Sequence, residues 1–329
     1  MENINSIIYF CSNPVTPSGG PKVIVRHSQI LNEITDGKIT SSVVFPDDLS
    51  FNMNWFEHNA IIKRDLNFNH RTDFIIIPEI WALRFGGQFY KNGFSYGIFV
   101  QGGYLIFNGA NSENFGTLKR IYENARLILS ISDDTTVAIN RAFAIPIDEI
   151  RKIQYSIDQS IFNSHIWEKE NIITYMPRRL PQHSAYLINM LRSRQMKNWN
   201  IIPIHGMDEK AVGTMLQRSK IFLSFSDLEG LPLPPLEAAI CGNLVIGYTG
   251  EGAKEYWNQP NFERIYNGEL HHFCEILAEK VALFEFSPLG LMSDDIAVKN
   301  INKLESNYSL SAEYDSLKDI FSCLFNITG

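Results

Sequence analysis

Cysteine is scarce in this chain. Four occur among 329 residues, Cys11, Cys241, Cys274 and Cys323, with no C-x-x-C pair and no ligand-like spacing. That pattern excludes a disulfide framework and a thiolate metal site, and reads as small buried side chains of a reducing compartment. Positive charge is not in excess: the formal net charge is -7. A general nucleic-acid binder needs a basic stripe to neutralise phosphates and is thereby excluded. No apolar run approaches the ~20 residues that cross a bilayer. The start, Met-Glu-Asn-Ile-Asn, lacks the basic and apolar regions of a secretion signal, so a cytoplasmic location is expected. No Asp-x-Asp occurs, so a carboxylate clamp for a metal-bound diphosphate is not indicated. Asp133-Asp134 and Asp294-Asp295 read as helix starts or solvated loops, and His271-His272 lacks a companion motif, so no metal is assigned. Neither a Ser-His-Asp arrangement nor a P-loop is found.

What is present is an ordinary globular composition, 45% hydrophobic and 12% aromatic, on a chain long enough for two domains with separate cores. Short apolar runs at Ser6 to Cys11, Thr40 to Phe45, Asp73 to Ile77, Ser95 to Val100 and Arg126 to Ile131 alternate with polar or helical segments. Further runs follow at Ile172 to Tyr175, Asn200 to Ile204, Lys220 to Phe225 and Asn243 to Gly247. This alternation predicts an α/β fold with mainly parallel sheets covered by helices. Pro21 opens a helix in which Val23, His27, Ile30 and Leu31 share one face, after a loop from Ser12 to Gly20. Ser311 to Asn326 is helical in pattern.

The densest signal is Glu229-Gly-Leu-Pro-Leu-Pro-Pro-Leu-Glu237-Ala-Ala-Ile-Cys-Gly242, behind the apolar run Ile221-Phe-Leu-Ser-Phe-Ser. Pro232, Pro234 and Pro235 suit a helix's first turn and no other part of it. Leu236, Ala239 and Ile240 recur at helical spacing, and Gly242 is a natural stop. The expected unit is a strand, a loop carrying Glu229 and a helix start carrying Glu237. Free N–H groups and the positive helix end beside two acids suit phosphorylated and polyhydroxylated ligands. The plain alternative is an ordinary strand–helix unit whose acids solvate the helix.

Together with the later Gly250-Glu-Gly252-Ala-Lys254-Glu255, this stretch resembles the donor-binding signature of retaining glycosyltransferases of the GT-B fold, the family-4 (glycosyltransferase group 1) type. The resemblance implies two Rossmann-like domains with parallel sheets facing across a cleft. Residues 1–165 would form the acceptor-side domain, 166–310 the nucleotide-sugar donor domain, and 311–329 a helix returning to the first. It implies that Glu229 holds sugar hydroxyls and Glu237 the ribose diol. Arg178 and Arg179 would face the diphosphate; an extended backbone would turn only one of them inward. Gly19 and Gly20 would approach the donor as a Gly-Gly loop. Met207, beside His205, would lie against the nucleobase. Gly250 and Gly252 would bring N–H groups to the donor, and Lys254 could replace a lysine that relatives carry after the arginine. Glu79 stands where many relatives have histidine and would bind or deprotonate an acceptor hydroxyl. Most aromatic residues between Trp81 and Tyr104 should be core.

No cofactor is expected, because the nucleotide diphosphate sugar is itself the donor substrate. The expected partners are that donor and a carbohydrate or lipid-linked glycan acceptor, with peripheral membrane contact and oligomeric state left open. The rival readings are a nucleotide-sugar epimerase or phosphorylase of the same fold, and a non-catalytic nucleotide-sugar-binding subunit. Base, sugar, acceptor and linkage are not legible in the sequence.

Overall fold

The computed structural model describes residues 4–15, 18–165, 168–193 and 198–325. Thr16 and Pro17 of the loop expected before the first helix, and Asn326 of the tail, lie outside these residues. The chain forms two compact units: one takes it up to Gln154 and again from Glu313, the other takes Tyr155–Ala312. Each is a Rossmann-like α/β unit on a parallel sheet, as expected for the fold class.

The strands of the first unit are β1 (Ser6–Phe10), β2 (Thr40–Val44), β3 (Ile61–Lys63), β4 (Asp73–Pro78), β5 (Ser95–Val100), β6 (Leu127–Ser130) and β7 (Ile150–Lys152). All pair in parallel, in the order β3-β2-β1-β4-β5-β6-β7. The residues of the inner strands are almost wholly buried, as expected where helices cover both faces, while the edge strands β3 and β7 are partly exposed. The helices are α1 (Gly19–Thr35), α2 (Gly87–Lys91), α3 (Phe115–Glu123) and α4 (Asp133–Phe143). On α1 the face Val23, His27, Ile30 and Leu31 is buried. Asp133 and Asp134 stand in the first turn of α4, where Ser132 accepts the Thr135 N–H as cap.

The second unit contains β8 (Glu170–Tyr175), α5 (Pro181–Ser193), β9 (Asn200–Pro203), α6 (Glu209–Arg218), β10 (Ser219–Glu229), α7 (Leu233–Ile240), β11 (Leu244–Glu251), β12 (Phe262–Arg264), α8 (Leu270–Phe284) and α9 (Asp295–Asn307). Its sheet is parallel in the order β12-β11-β10-β8-β9. The boundary after Gln154 falls eleven residues before the expected 165. The reason is local: Ile157 N–H donates to Tyr308 C=O at 2.8 Å, and Gln217 on α6 reaches Ile161 C=O at 3.0 Å. These bonds tie the segment after Gln154 to the second unit.

The last helix, α10 (Leu310–Phe325), joins the first unit from Glu313 onward. Glu313 is fully buried and meets Arg26 Nε at 2.9 Å and His27 Nε2 at 3.1 Å, both on α1. Burial pushes the His27 pKa below its ordinary value, against the opposite pull of Glu313. Phe325 packs edge-on against Phe74 of β4.

A second buried charge organises the other unit. Lys169 Nζ donates to the carbonyls of Gln217 (3.0 Å), Ser219 (2.9 Å) and Cys241 (2.8 Å), which end α6 and α7. Helix C-termini leave carbonyls unpaired and carry partial negative charge, so one ammonium satisfies both ends. Burial lowers the Lys169 pKa to about 8. Lys169→Met keeps the bulk but orphans these carbonyls, each at about 1–3 kcal/mol. A loss of about 3 kcal/mol or more in urea unfolding is expected; an unchanged midpoint would show that water replaces the ammonium.

Candidate functional site

In an open α/β sheet, ligands bind beyond the carboxyl ends of the strands, where the strand order reverses. In the second unit that point lies between β8 and β10, since β9 follows on one side of β8 and β10 to β12 on the other. Arg178 and Arg179 follow β8, and Glu229 ends β10. The neighbouring strand ends carry Met207 after β9, and Gly250, Gly252 and Lys254 at and after the end of β11. The topology thus collects the second-unit candidates along one edge.

Arg179 Nε stands 3.3 Å from Glu229 Oε1. The Glu229 side chain is 18% exposed, and burial raises its pKa while Arg179 and Arg178 pull it down. Both arginines therefore act on the same carboxyl. The backbone between them is not extended: residues 177–180 form a turn, and Leu180 has φ +42°. The expected strand-like alternation of the pair does not apply, because the strand ends at Tyr175 and the turn sets both directions.

Glu229 is aimed by a β-bulge. Ser226 pairs with Thr249 and Glu229 with Glu251, so β10 carries one extra residue across this step. The glycines opposite are there for backbone contact. A Cβ on Gly252 would fall 2.0 Å from Gly230 O, and one on Gly250 would fall 2.4 Å from Asp227 O. Between them Glu251 takes φ +66° and ψ −57°, a strained conformation for a non-glycine residue. Lys254 is exposed and paired with Glu251 in its own turn rather than with the Arg179–Glu229 pair.

The helix start after Glu229 differs from expectation in two ways. Glu237 is the fifth residue of α7, half-buried, one turn further along than a helix start would place it. Pro234 and Pro235 occupy the second and third positions, so ahead of the first intrahelical bond only Leu233 offers a backbone N–H. Backbone donors are fewer here than the sequence reading supposed. Gly242, with φ +81°, ends the helix as expected.

Tyr256 was missed. Its buried hydroxyl donates to the carbonyl of Pro232, the residue that precedes α7. Burial raises its pKa, and so do the nearby Tyr308, Glu229, Glu255 and Glu237, so it lies within the field of the site's carboxylates. A tyrosine in an unremarkable loop gave no signal of this. Met207 and His205 are exposed in the loop after β9, where Gly206 takes φ +67°.

The first unit has its own reversal point, between β1 and β4. Gly19 and Gly20 follow β1, but as the first turn of α1 rather than as a loop. Ser18 precedes the helix in extended conformation, and Pro21 fits its first turn. Glu79 follows β4 and is 4% exposed. Burial raises its pKa to about 7, against the N–H groups of Glu79 itself, Gln101 and Gly102. Trp81, Phe85, Phe89 and Phe94 pack on one another and on Phe10, as core.

Among the described residues no group of three or more His, Cys, Asp or Glu side chains forms a metal site, and no helix is long and apolar enough to cross a membrane.

Comparison with solved structures bears out the GT-B fold. Over 98% of this chain and 100% of the other, it superposes on sucrose-phosphate synthase from Thermosynechococcus elongatus with a TM-score of 0.70 at 11% identity. HepE of Anabaena, solved with UDP-glucose, gives 0.65 at 10% identity over 97% of this chain and 99% of HepE. A glycosyltransferase from Rickettsia africae gives 0.60 at 13% identity over 99% and 100%. Residues 182–285 match the family described as Glycosyl transferases group 1, in agreement with the resemblance seen in the sequence. No curated protein matches the chain.

Glu79 yields a pH test. Its folded pKa of about 7 lies above the ordinary 4.5, so the folded state binds more protons between these values. The stability tied to its protonated form is complete below the lower value and lost as pH rises through the upper. Glu79→Gln cannot titrate, so relative to it the native protein should weaken by up to about 3 kcal/mol between pH ~5 and pH ~8. Parallel urea-stability curves for the two proteins would show that Glu79 is ionised throughout.

Proposed function

We propose that this protein is a retaining, metal-independent glycosyltransferase that moves a sugar from a nucleotide diphosphate sugar to an acceptor hydroxyl, in polysaccharide or glycoconjugate biosynthesis. The observation that carries this reading is the Arg179–Glu229 pair at the strand-order reversal of the second unit, with Glu237 on the helix that follows Glu229. Guanidinium groups match phosphate oxygens with a planar fork of donors and stay charged near neutral pH. With prolines at the N-cap and at the second and third positions of α7 leaving few backbone donors there, Arg178 and Arg179 carry most of the leaving diphosphate's charge.

Glu229 orients the sugar hydroxyls, with the arginines opposing the upward push of burial on its pKa. Glu237 takes the ribose diol. As the glycosidic bond loosens, the cations stabilise the departing diphosphate, the principal electrostatic contribution, and the acceptor attacks on the same face. Glu79 serves the acceptor hydroxyl as base. Since HepE was solved with UDP-glucose, uridine diphosphate sugars are the first donors to try.

The two acids separate the roles. Glu237→Gln should weaken nucleotide diphosphate and nucleotide sugar alike, by about 1.5–3 kcal/mol for a lost charge-assisted hydrogen bond. Glu229→Ala should leave nucleotide diphosphate affinity nearly intact while turnover falls. Calorimetry with both ligands checks this, and equal losses in both variants would end the division of labour. Arg179→Ala should depress transfer strongly, and transfer should persist in excess chelator. Release of an altered nucleotide sugar without any acceptor would establish an epimerase instead.

A further inference from the structure

Gln101, just beyond β5, touches both first-unit candidates. Its side-chain Nε2 donates to Gly20 C=O at 3.1 Å, in the first turn of α1. Its Oε1 lies 2.7 Å from the point where a Cβ on Gly20 would stand. Its backbone N–H, with that of Gly102, donates to the Glu79 carboxyl. Glycine at position 20 therefore leaves room for a glutamine rather than for a loop of unusual conformation. We propose that Gln101 is a positioning residue for Glu79: its side chain fastens the start of α1 to the loop whose N–H groups hold that carboxyl.

The surroundings of Glu79 make that fastening matter. The Gly102 position is so close that a Cβ there would lie 3.6 Å from Glu79 Oε1 and 3.2 Å from Leu105. Leu105 N–H returns to Gly102 C=O at 2.9 Å, so the turn begins at the residues that bind the carboxyl. The titratable group facing Glu79 from a packed element, among the described residues, is Tyr122 on α3, which burial keeps neutral. No ion pair involves Glu79 among those residues, so the carboxyl's environment depends on backbone donors and on how tightly the turn excludes water. A loosened turn admits water and favours the ionised form, an effect that outweighs any weakening of the N–H contacts because burial is the largest influence on Glu79. Gln101 acts through that turn, and the proposal rests on the acceptor-side reading of Glu79 only for its effect on transfer.

The test measures the Glu79 carboxyl directly, by carbon NMR on glutamate-labelled protein, with the signal assigned by its loss in Glu79→Gln. Gln101→Ala removes the fastening. Gly20→Ala should remove it too, because the new methyl displaces the Gln101 amide. Each single variant should lower the Glu79 titration midpoint by about half a unit or more. The double variant should lower it no further than either single one, since both break one contact. If transfer is detected, the acid limb of kcat/KM against pH should move by the same amount. An unmoved midpoint in both single variants, or shifts that add in the double, would overturn the proposal. If no donor and acceptor pair gives transfer, the functional reading fails, whereas the NMR midpoint still decides the role of Gln101.

Discussion

At the carboxyl ends of β10 and β11 two backbones lie closer together than any side chain would permit. Gly252 presses on the carbonyls of Glu229 and Gly230, and Gly250 on that of Asp227. The bulge that turns Glu229 out of β10 exists only because the neighbouring strand yields this space. Glu251, between the glycines, absorbs the mismatch in a left-handed backbone conformation. The proline turn follows directly, pinned from below by the Tyr256 hydroxyl. Close main-chain packing thus fixes the carboxylate, and the helix behind it is set by the same contact.

Two of the candidate-site carboxyls, Glu229 and Glu79, are pushed toward the neutral form by burial, and they differ in what opposes that push. Glu229 has two guanidinium groups, one in direct contact. Glu79 has only backbone N–H donors, and its pKa reaches about 7. Different partners around two buried acids are how one molecule can give them different ionisation behaviour. The difference comes from partners and from depth, since Glu79 is the more deeply buried of the two.

Much of this was legible in the chain. The longer strands announced themselves by apolar runs, and the prolines and Gly242 marked both ends of α7. The strands β3, β7 and β12 were not seen, since three residues each are too few to show a period. Glu229 and the arginines could be named because they sit in a dense local pattern. Tyr256 and Gln101 could not, because their importance arises from hydrogen bonds to Pro232 and Gly20, made across 24 and 81 positions of sequence. The double glycine was recognised but its reason was not: a space reserved for a side chain looks, in sequence, like one reserved for a ligand. The Arg178–Arg179 turn was hidden for a related cause, as Leu180 is an unexpected residue for positive φ.

The first unit is discontinuous, and this has a consequence for how the protein is made. Its sheet is encoded before residue 155, yet Glu313, which meets Arg26 and His27 in its interior, is encoded after the whole second unit. On the ribosome the N-terminal layer must wait, with a half-buried guanidinium and a buried imidazole lacking their carboxylate, while 158 further residues, Tyr155–Ala312, are synthesised. Domains tend to fold as units while the chain emerges. Here the second unit has its complete sequence before the first does, so the order of translation and the order of completion are reversed.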